Sequence, residues 1–424
     1  MMKLRQHGCS VMEPRFRRYV FRFCPREAWG RSAVGYTPQV RSEPEPMSAP
    51  TPLPSPPVRR KRLAILVNMV APYRVPVYEE LGGAFETLVL FSGRERNRGS
   101  WERVLGQFRS CRWKQVWGFA LRFARRAEQG AIDQQYLHLD PGYFFELLRY
   151  RPHAVISNEM GFRTLAALFY GFLFRRPVWV WWGGTLHTER NLSRRKRAWR
   201  KWFVGRVRRW ISYGETSTEY LESLGVSRER VLQIQNCVDG RQFQPEGERL
   251  IDVHPKPVVL YTGQMIRRKG VDRLIESAAR LQSGGAEFSL LLVGGGAEAE
   301  SLQEQAASLG LRHLVFHGAV AAEQMPAVYR SADLVVFPTL EDVWGLTANE
   351  AILCGKPVLT SIYAGCAEEI IPSEQRFDPH DPDQFDKALG SAIRKGLIPP
   401  SRDSLWTCER TGKTIAEAIS SVFL

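Results

Sequence analysis

Short apolar runs that alternate with helical segments constrain the fold of this chain more than any other feature. Each run is rich in β-branched or aromatic residues, as a strand buried on both faces requires. The segments between them carry apolar residues at helical spacing, as in residues 270–281. The predicted strands are residues 63–68, 85–93, 153–158, 177–182, 231–235, 257–263, 288–296, 314–318, 333–337 and 357–360. This alternation predicts an α/β protein with doubly wound parallel sheets.

The alternation falls into two halves, which a polar link at residues 236–243 separates. A chain of 424 residues suits two domains with extensions, because a domain has roughly 100–200 residues. We expect a Rossmann-like N-terminal domain over residues 63–240 and a second over residues 241–400. A C-terminal helix within residues 401–424 is expected to pack back toward the first domain.

Residues 1–62 read as an extension that precedes the first domain. They are Arg-rich and then Pro/Ser-rich, which predicts a disordered segment, and they contain no apolar core of a secretory signal. We hypothesise that translation starts at Met47, because the strand pattern begins only at residue 63. Intact-mass measurement of the natively expressed protein tests this hypothesis.

The positive charge of the chain is unevenly distributed. The net charge is +15, yet residues 241–424 carry 18 Lys/Arg against 24 Asp/Glu, so the excess lies in the first half. Nine of the cations fall in residues 193–210, where an aromatic and apolar set recurs at helical spacing. This set comprises Trp199, Trp202, Phe203, Val207 and Trp210. The segment is either an interfacial membrane helix or a core-packed helix with a solvated basic face, and the sequence favours neither.

Cysteine usage and hydropathy limit the class of protein. The seven cysteines are scattered, with no CxxC and no Cys/His cluster, which indicates reduced thiols and a cytoplasmic protein. Mean hydropathy is −0.27, and no apolar run approaches the roughly 20 residues of a membrane span. The most apolar run, residues 165–174, is expected to be a core helix.

Residues 337–359 form a strand end, a loop, a short helix and the next strand. Asp342 lies in the loop, and Glu350 lies in the helix that follows Gly345 and Leu346. Ligands of α/β proteins bind at such strand-to-helix turns. Taken alone, the two acids are more simply explained as favourable charges near a helix start.

Residues 261–275 form a second strand-to-helix turn, with Arg267, Arg268 and Lys269 between Gly263 and Gly270. Cations beside helix-start amides suit a diphosphate, although a solvated basic loop is equally compatible. Gly294–Gly296 lacks the spacing of a phosphate loop and predicts a close strand-to-helix turn. The sequence has no HExxH, no GxSxG and no Asp-x-Asp pair after a strand that would hold a divalent metal.

Several motifs in one order resemble glycosyltransferase family 4, whose members have the GT-B fold and retain anomeric configuration. The motifs are Pro72-Tyr73-Arg74-Val75-Pro76, Asn236-Cys237-Val238-Asp239, Gly263-Gln264 with Lys269-Gly270, Asp342 with Glu350, and Gly365-Cys366-Ala367-Glu368-Glu369. The resemblance covers residues 63–424. Gln264 stands where the family has arginine, and Asp342 stands where it has glutamate, so Glu341 is the alternative first acid.

The resemblance implies a retaining glycosyltransferase that moves a sugar from a nucleotide-sugar to an acceptor hydroxyl, in cell-surface polysaccharide or glycolipid synthesis. It implies that Gly263, Gln264, Arg268 and Lys269 bind the diphosphate. Glu350 would bind ribose, Asp342 the donor sugar, and the amides of Gly345 and Leu346 the sugar or phosphate. No cofactor is expected. No metal is expected either, because cationic side chains take its place at the diphosphate.

The resemblance places the acceptor on the first domain, with Tyr73, Arg74 and His187 as candidates and His187 counted with the catalytic residues. A glycan or lipid-linked acceptor and an anionic membrane at residues 193–210 are the expected partners, without nucleic acid. The expected location is cytoplasmic, with peripheral attachment to the inner face of the plasma membrane. The alternatives are a GT-B-like nucleotide-sugar epimerase and a non-catalytic basic protein that binds membrane or nucleic acid.

Overall fold

The first half of the protein is built on a parallel sheet. The computed structural model describes residues 60–93, 104–126 and 132–423, which belong to one compact unit. Seven strands pair in the order β3-β2-β1-β6-β7-β8-β9, and every pairing is parallel. They are β1 (Arg62–Val67), β2 (Glu86–Phe91), β3 (Cys111–Gln115), β6 (Ala154–Asn158), β7 (Val178–Trp182), β8 (Arg209–Tyr213) and β9 (Val231–Ile234).

Helices cover both faces of this sheet. One face packs against α1 (Val75–Ala84) and α12 (Cys408–Ser420), and the other against α2 (Gly142–Tyr150) and α3 (Phe162–Phe174). On this second face, α4 (Arg194–Val204) and α5 (Gly214–Ser223) enclose a neighbouring cluster with Trp182 and Trp210. The strand cores are almost fully buried, with Leu63, Ile65 and Ile156 at 0% exposure. Burial on both faces explains why these strands are continuous apolar runs in the sequence.

The second half repeats the architecture with six parallel strands in the order β12-β11-β10-β13-β14-β15. The strands are β10 (Val258–Thr262), β11 (Ser289–Val293), β12 (Leu314–Gly318), β13 (Leu334–Phe337), β14 (Val358–Ser361) and β15 (Arg376–Phe377). The helices are α6 (Val271–Ser283), α7 (Ala299–Ser308), α8 (Met325–Arg330), α9 (Leu346–Leu353), α10 (Ala367–Ile370) and α11 (Pro382–Lys395). Two doubly wound parallel sheets confirm the predicted fold class.

The local pattern was wrong about one segment and missed the strands of another. Residues 193–210 are not one helix: α4 ends at Val204, and residues 209–213 form the strand β8. The predicted strands also lacked β3 and the strand β4 (Phe119–Arg126). β4 pairs antiparallel with β5 (Ile132–Leu139), which the pattern did not predict either.

The start of the chain is outside the described residues. The predictions of a disordered extension over residues 1–62 and of a start at Met47 therefore stay predictions, with only residues 60–62 described. At the other end, α12 packs on α1 of the first sheet. None of the helices in the described part of the chain has the length and hydrophobicity needed to cross a bilayer.

Candidate functional site

The turn after β10 presents backbone amides and cations at the carboxyl edge of the second sheet. Residues Arg267–Lys269 form a single 3₁₀ turn, and Gly270 then leads into α6 with φ of +64°. A Cβ atom at Gly270 would lie 2.2 Å from the carbonyl oxygen of Pro338. Only glycine therefore fits where this turn crosses the end of β13. This one turn carries three cations, of which Arg267 and Arg268 are exposed and Lys269 is largely buried.

The three glycines at residues 294–296 serve close packing. A Cβ atom at Gly294 would lie 1.9 Å from the carbonyl oxygen of Gly263, and one at Gly296 would lie 2.3 Å from that of Met265. The turn after β11 therefore rests directly on the turn after β10. This contact agrees with the predicted close strand-to-helix turn.

Lys269 and Asp342 form an ion pair between the two turns at this edge. Lys269 Nζ donates to Asp342 Oδ2, and both side chains are largely buried, at 14% and 13% exposure. Arg268 Nη1 donates to the backbone oxygen of Glu341 at 3.2 Å, and the backbone nitrogen of Leu340 donates to the oxygen of Arg268 at 2.8 Å. The cationic turn and the acidic loop, 73 residues apart in sequence, thus form one structure.

Gly345 and Leu346 shape the start of α9. Gly345 adopts φ of +107° and precedes the first helical residue, Leu346. Gly345 provides no side-chain cap for this end of α9, and the preceding residue, Trp344, donates its backbone N–H to Asp342 Oδ1 at 3.3 Å. An amide cluster at a helix start favours a negative charge.

Glu350 is partly buried in α9 beneath the same edge. Its Oε2 accepts a hydrogen bond from Tyr329 Oη at 2.6 Å, and Tyr329 Oη lies 3.0 Å from Thr262 Oγ1. Burial raises the pKa of Glu350 to about 7, against the opposing effect of the Tyr329 hydrogen bond. Burial and the neighbouring Glu350 carboxyl raise the pKa of Tyr329 well above 10, so Tyr329 stays a donor. Tyr329 was not singled out by sequence reasoning, because a tyrosine 21 positions from Glu350 carries no local signal.

Replacing Tyr329 by phenylalanine is expected to raise the pKa of Glu350 by about one unit, because the carboxylate loses a hydrogen-bond donor. The ¹³C chemical shift of the carboxyl carbon, followed against pH, measures this change. The matched control is Tyr170→Phe, which removes a buried hydroxyl that donates to Pro152 O at 3.0 Å in the first half. An unchanged pKa in Tyr329→Phe would contradict the assigned hydrogen bond.

The loop after β7 reaches the acidic loop from the first sheet. His187 Nε2 lies 2.7 Å from the carbonyl oxygen of Leu340, and the imidazole stacks on the ring of Tyr363 with centroids 4.3 Å apart. Arg190 Nη1 donates to Glu341 Oε2 at 2.7 Å. His187 therefore faces the second half. Arg190 and Tyr363 were not anticipated, since their partners are distant in sequence.

Tyr73 and Arg74 form a 3₁₀ turn after β1, at the same carboxyl edge of the first sheet. Arg74 is 5% exposed, and its guanidinium lies over the rings of Trp181 and Tyr213, at 4.2 and 4.5 Å from their centroids. Tyr73 is half-buried and packs against the core of the second half. Both residues thus lie where the halves meet, with Tyr73 the more accessible of the two.

Glu369 makes a further link between the halves. Its Oε1 accepts from the backbone nitrogen of Glu215 at 2.6 Å, at the start of α5. Burial raises the pKa of Glu369. Together with Arg190–Glu341, this contact fixes the position of one sheet's carboxyl edge relative to the other. Within the described residues, no group of three or more His, Cys, Asp or Glu side chains is arranged to hold a metal ion.

Part of this chain is similar in sequence to known proteins. Residues 248–405 match the family model described as "Glycosyl transferases group 1". The chain is 31% identical over 148 residues to the GDP-mannose-dependent alpha-(1-6)-phosphatidylinositol monomannoside mannosyltransferase of Mycolicibacterium smegmatis, covering 32% of this chain and 39% of that protein. It is 26% identical over 164 residues to the 2-deoxystreptamine glucosyltransferase of Streptomyces kanamyceticus, covering 37% and 42%. The chain thus spans less than half the length of these relatives.

Solved structures share the fold over most of the chain. Anabaena HepE in complex with UDP and glucose superposes with a TM-score of 0.60 at 17% identity, covering 85% of this chain and 97% of that one. The lipopolysaccharide outer core galactosyltransferase WaaB superposes with a TM-score of 0.61 at 16% identity, covering 85% and 99%. The structural matches confirm the GT-B fold, and the family match bears out the resemblance over residues 248–405.

Proposed function

We propose that this chain, whose residues 248–405 carry a glycosyl transferases group 1 domain, is a retaining glycosyltransferase that moves a sugar from a nucleotide-sugar to an acceptor hydroxyl. The arrangement around Lys269 carries the proposal. A half-buried cation, uncapped helix-start amides and two acids converge at one sheet edge. The loop of His187 from the other sheet faces them.

The charge that develops on the leaving diphosphate determines what this edge must do. Lys269 and Arg268 lie on the same turn, and the amides around Gly345 and Leu346 lie beside Asp342. Fixed cations and amides that face a developing negative charge lower the barrier, because they need no reorganisation during the reaction. In this structure, Lys269 pairs with Asp342. A bound diphosphate would pair with the Lys269 ammonium instead, which would leave the Asp342 carboxylate free to bind the donor sugar.

The two acids have different environments, which suits different roles. Glu350 is partly buried and held by Tyr329, so its carboxyl is positioned to accept from ribose hydroxyls. Asp342 adjoins Lys269, whereas Glu341 pairs with Arg190 on the other sheet. These partners support Asp342 rather than Glu341 as the acid that binds the donor sugar. Gly263 and Gln264, which follow β10, complete the donor side.

Retention is proposed to proceed by front-face displacement, without a protein nucleophile. The leaving phosphate oxygen would take the proton of the acceptor hydroxyl as the new glycosidic bond forms and the old bond to phosphate breaks. His187, with Tyr73 and the largely buried Arg74, lies on the acceptor side of the same junction. The proposed acceptor is a precursor of a cell-surface glycan or glycolipid, and the transfer is proposed to take place at the inner face of the plasma membrane.

An assay of nucleoside diphosphate release tests the proposed activity. Release from a nucleotide-sugar should depend on an added glycan or glycolipid acceptor, and the labelled sugar should appear in the acceptor with its anomeric configuration retained. An epimerase would change the sugar without this acceptor dependence. Salt-sensitive nucleic-acid binding without any turnover would instead favour the non-catalytic alternative.

Turnover is expected to persist in excess EDTA, within about twofold of its value with Mg²⁺, because Lys269 and Arg268 supply the positive charge that a metal supplies in other phosphate sites. The measurement is the initial rate of nucleoside diphosphate release in both conditions. Loss of activity in EDTA, with recovery on adding Mg²⁺ or Mn²⁺, would contradict this expectation.

A further inference from the structure

Helices α2 and α3 expose a row of aromatic side chains on the outer face of the first half. Phe145 on α2 is 54% exposed, and on α3 Phe169 and Phe172 are 56% and 83% exposed. Residues 165–174 were expected to be a core helix, yet only one side of α3 faces the sheet. A contiguous aromatic surface of this kind marks an interaction site, since single exposed residues need no explanation but a row does.

The two helices enclose an apolar groove, here called the aromatic groove. It has a volume of about 300 Å³ and is lined by Pro141, Phe144, Phe145, Phe162, Leu165, Ala166 and Phe169. None of these side chains carries a polar atom. Trp117 extends the surface by stacking on Phe145, with ring centroids 5.9 Å apart. The groove therefore offers hydrocarbon contact alone.

The segment that the sequence suggested for apolar membrane insertion is mostly directed inward. Phe203, Val207 and Trp210 are fully buried, whereas Trp199 and Trp202 stack on each other with centroids 5.5 Å apart and are 42% and 37% exposed. What α4 presents to solvent is chiefly charge. Its exposed cations are Arg194, Arg195, Lys196, Arg197 and Lys201.

The charge on this face is complementary to an anionic surface. α2, α3 and α4 lie in one layer, because α3 packs against the cluster beneath α2 and against the cluster beneath α4. Within these three helices, all of which the structure describes, the one carboxylate is Glu146, and Lys114 pairs with it at 2.7 Å. Arg175 and Arg176 are exposed at the end of α3.

We propose that the aromatic groove and its flanking phenylalanines dock this protein on an anionic lipid bilayer, with α4, Arg175 and Arg176 contacting the lipid headgroups. Aromatic and aliphatic side chains gain from entering the acyl boundary, and the surrounding cations gain from the negative surface potential. Nucleic acid fits less well, because a groove without polar atoms satisfies none of its hydrogen-bonding groups. An acidic protein partner is the other possible occupant, which the test below separates.

This docking surface adjoins the acceptor side of the candidate site. Tyr143 Oη donates to the carbonyl oxygen of Val67, the last residue of β1, which places the start of α2 at the carboxyl edge of the sheet. α3 likewise begins after the end of β6. Pro141 and Phe162, which line the groove, lie at the starts of these two helices. This end of the groove is therefore the end toward the edge that carries Tyr73 and the loop of His187. The docking proposal rests on the proposed function in one respect, namely that docking would bring the site to a lipid-linked acceptor.

The test is flotation of the full chain with phosphatidylcholine vesicles, with and without phosphatidylglycerol. The wild type should float with the anionic vesicles. Phe145→Ser/Phe169→Ser/Phe172→Ser should bind them at least about tenfold more weakly, since burying one phenylalanine alone is worth that much. The matched control is Leu309→Ser/Ile398→Ser, which removes exposed apolar side chains of the second half and should float like the wild type.

Two further arms separate the outcomes. Arg194→Glu/Lys196→Glu should lose binding to the anionic vesicles, and quenching of the protein's tryptophan fluorescence by acyl-brominated lipids should be weaker in the triple serine variant. Wild-type flotation that the triple variant retains would overturn the proposal. Absence of wild-type flotation would also overturn it, and capture of an acidic protein by the groove would then identify the alternative partner. The thermal shift of the triple variant with nucleotide-sugars should be unchanged, so failure of docking is distinguishable from failure of the proposed function.

Discussion

Lys269→Ala is expected to lower turnover by about 10²–10³-fold while the protein remains folded. The side chain is 14% exposed and lies at the turn where the diphosphate is proposed to bind. Removing one group that stabilises developing negative charge in a dry site has an effect of about this size. The measurement is kcat and KM for nucleoside diphosphate release, with circular dichroism to verify folding.

The Lys269 substitution needs a control for the acid that it leaves behind. Asp342 pairs with Lys269, so the alanine variant also buries a carboxylate without its cation. Comparison with Asp342→Asn and with the double variant separates the two effects. Lys413→Ala is the matched control, because Lys413 pairs with Glu409 on the exposed side of α12. A turnover in Lys269→Ala within a few-fold of the wild type would contradict the role assigned to this cation.

Glu350→Gln is expected to weaken nucleotide-sugar binding about ten- to a hundredfold at pH 8. Ribose hydroxyls would donate to the Glu350 carboxylate, and a hydrogen bond to a charged group contributes about 1.5–3 kcal/mol. The pKa of this carboxyl is raised to about 7 by burial. Wild-type affinity should therefore increase from pH 6 to pH 8 as Glu350 ionises, and the affinity of Glu350→Gln should be flat over this range. Titration calorimetry at a series of pH values measures both.

The same substitution should change the pH dependence of stability. The folded pKa of about 7 exceeds the ordinary value of 4.5, so Glu350 contributes most to the free energy of unfolding below pH 4.5. That contribution is lost as pH rises through about 7, and it amounts to about 3 kcal/mol. Glu350→Gln should remove this slope, and Glu304→Gln, on the exposed side of α7, should keep it. Identical slopes in wild type and Glu350→Gln would contradict the burial and ionisation assigned to Glu350.

The sequence predicts the second half of the fold closely because its signals are local. β12 coincides with its predicted apolar run at residues 314–318, and β13 lies within that predicted at residues 333–337. Residues 193–210 misled because Trp199, Phe203 and Val207 keep helical spacing across the turn at Gly205. All three contribute to one core cluster or its edge, so a helix followed by a strand satisfies the same apolar pattern.

The candidate site was predictable in its turns but not in its contacts. The glycines and cations of residues 263–270 mark a strand-to-helix turn through local chemistry. The partner of Lys269 lies 73 residues away, that of Arg190 lies 151 residues away and that of Glu350 lies 21 residues away. Such pairs depend on which strands become neighbours in the sheet, and no spacing rule within one segment encodes them. For the same reason, the sequence showed the apolar content of α3 but not the side that stays exposed.

The central claim is that Lys269 and Glu350 belong to one nucleotide-sugar site, and thermal shift with UDP-, GDP- and ADP-sugars tests it most directly. A ligand that binds the folded state raises the melting temperature, and at equal concentration a tighter ligand raises it further. We expect at least one of the three nucleotide-sugars to stabilise the wild type and the Lys413→Ala and Glu304→Gln controls. The same ligand should stabilise Lys269→Ala and Glu350→Gln much less. Stabilisation of all five proteins to the same extent, or of none by any of the three, would contradict the claim.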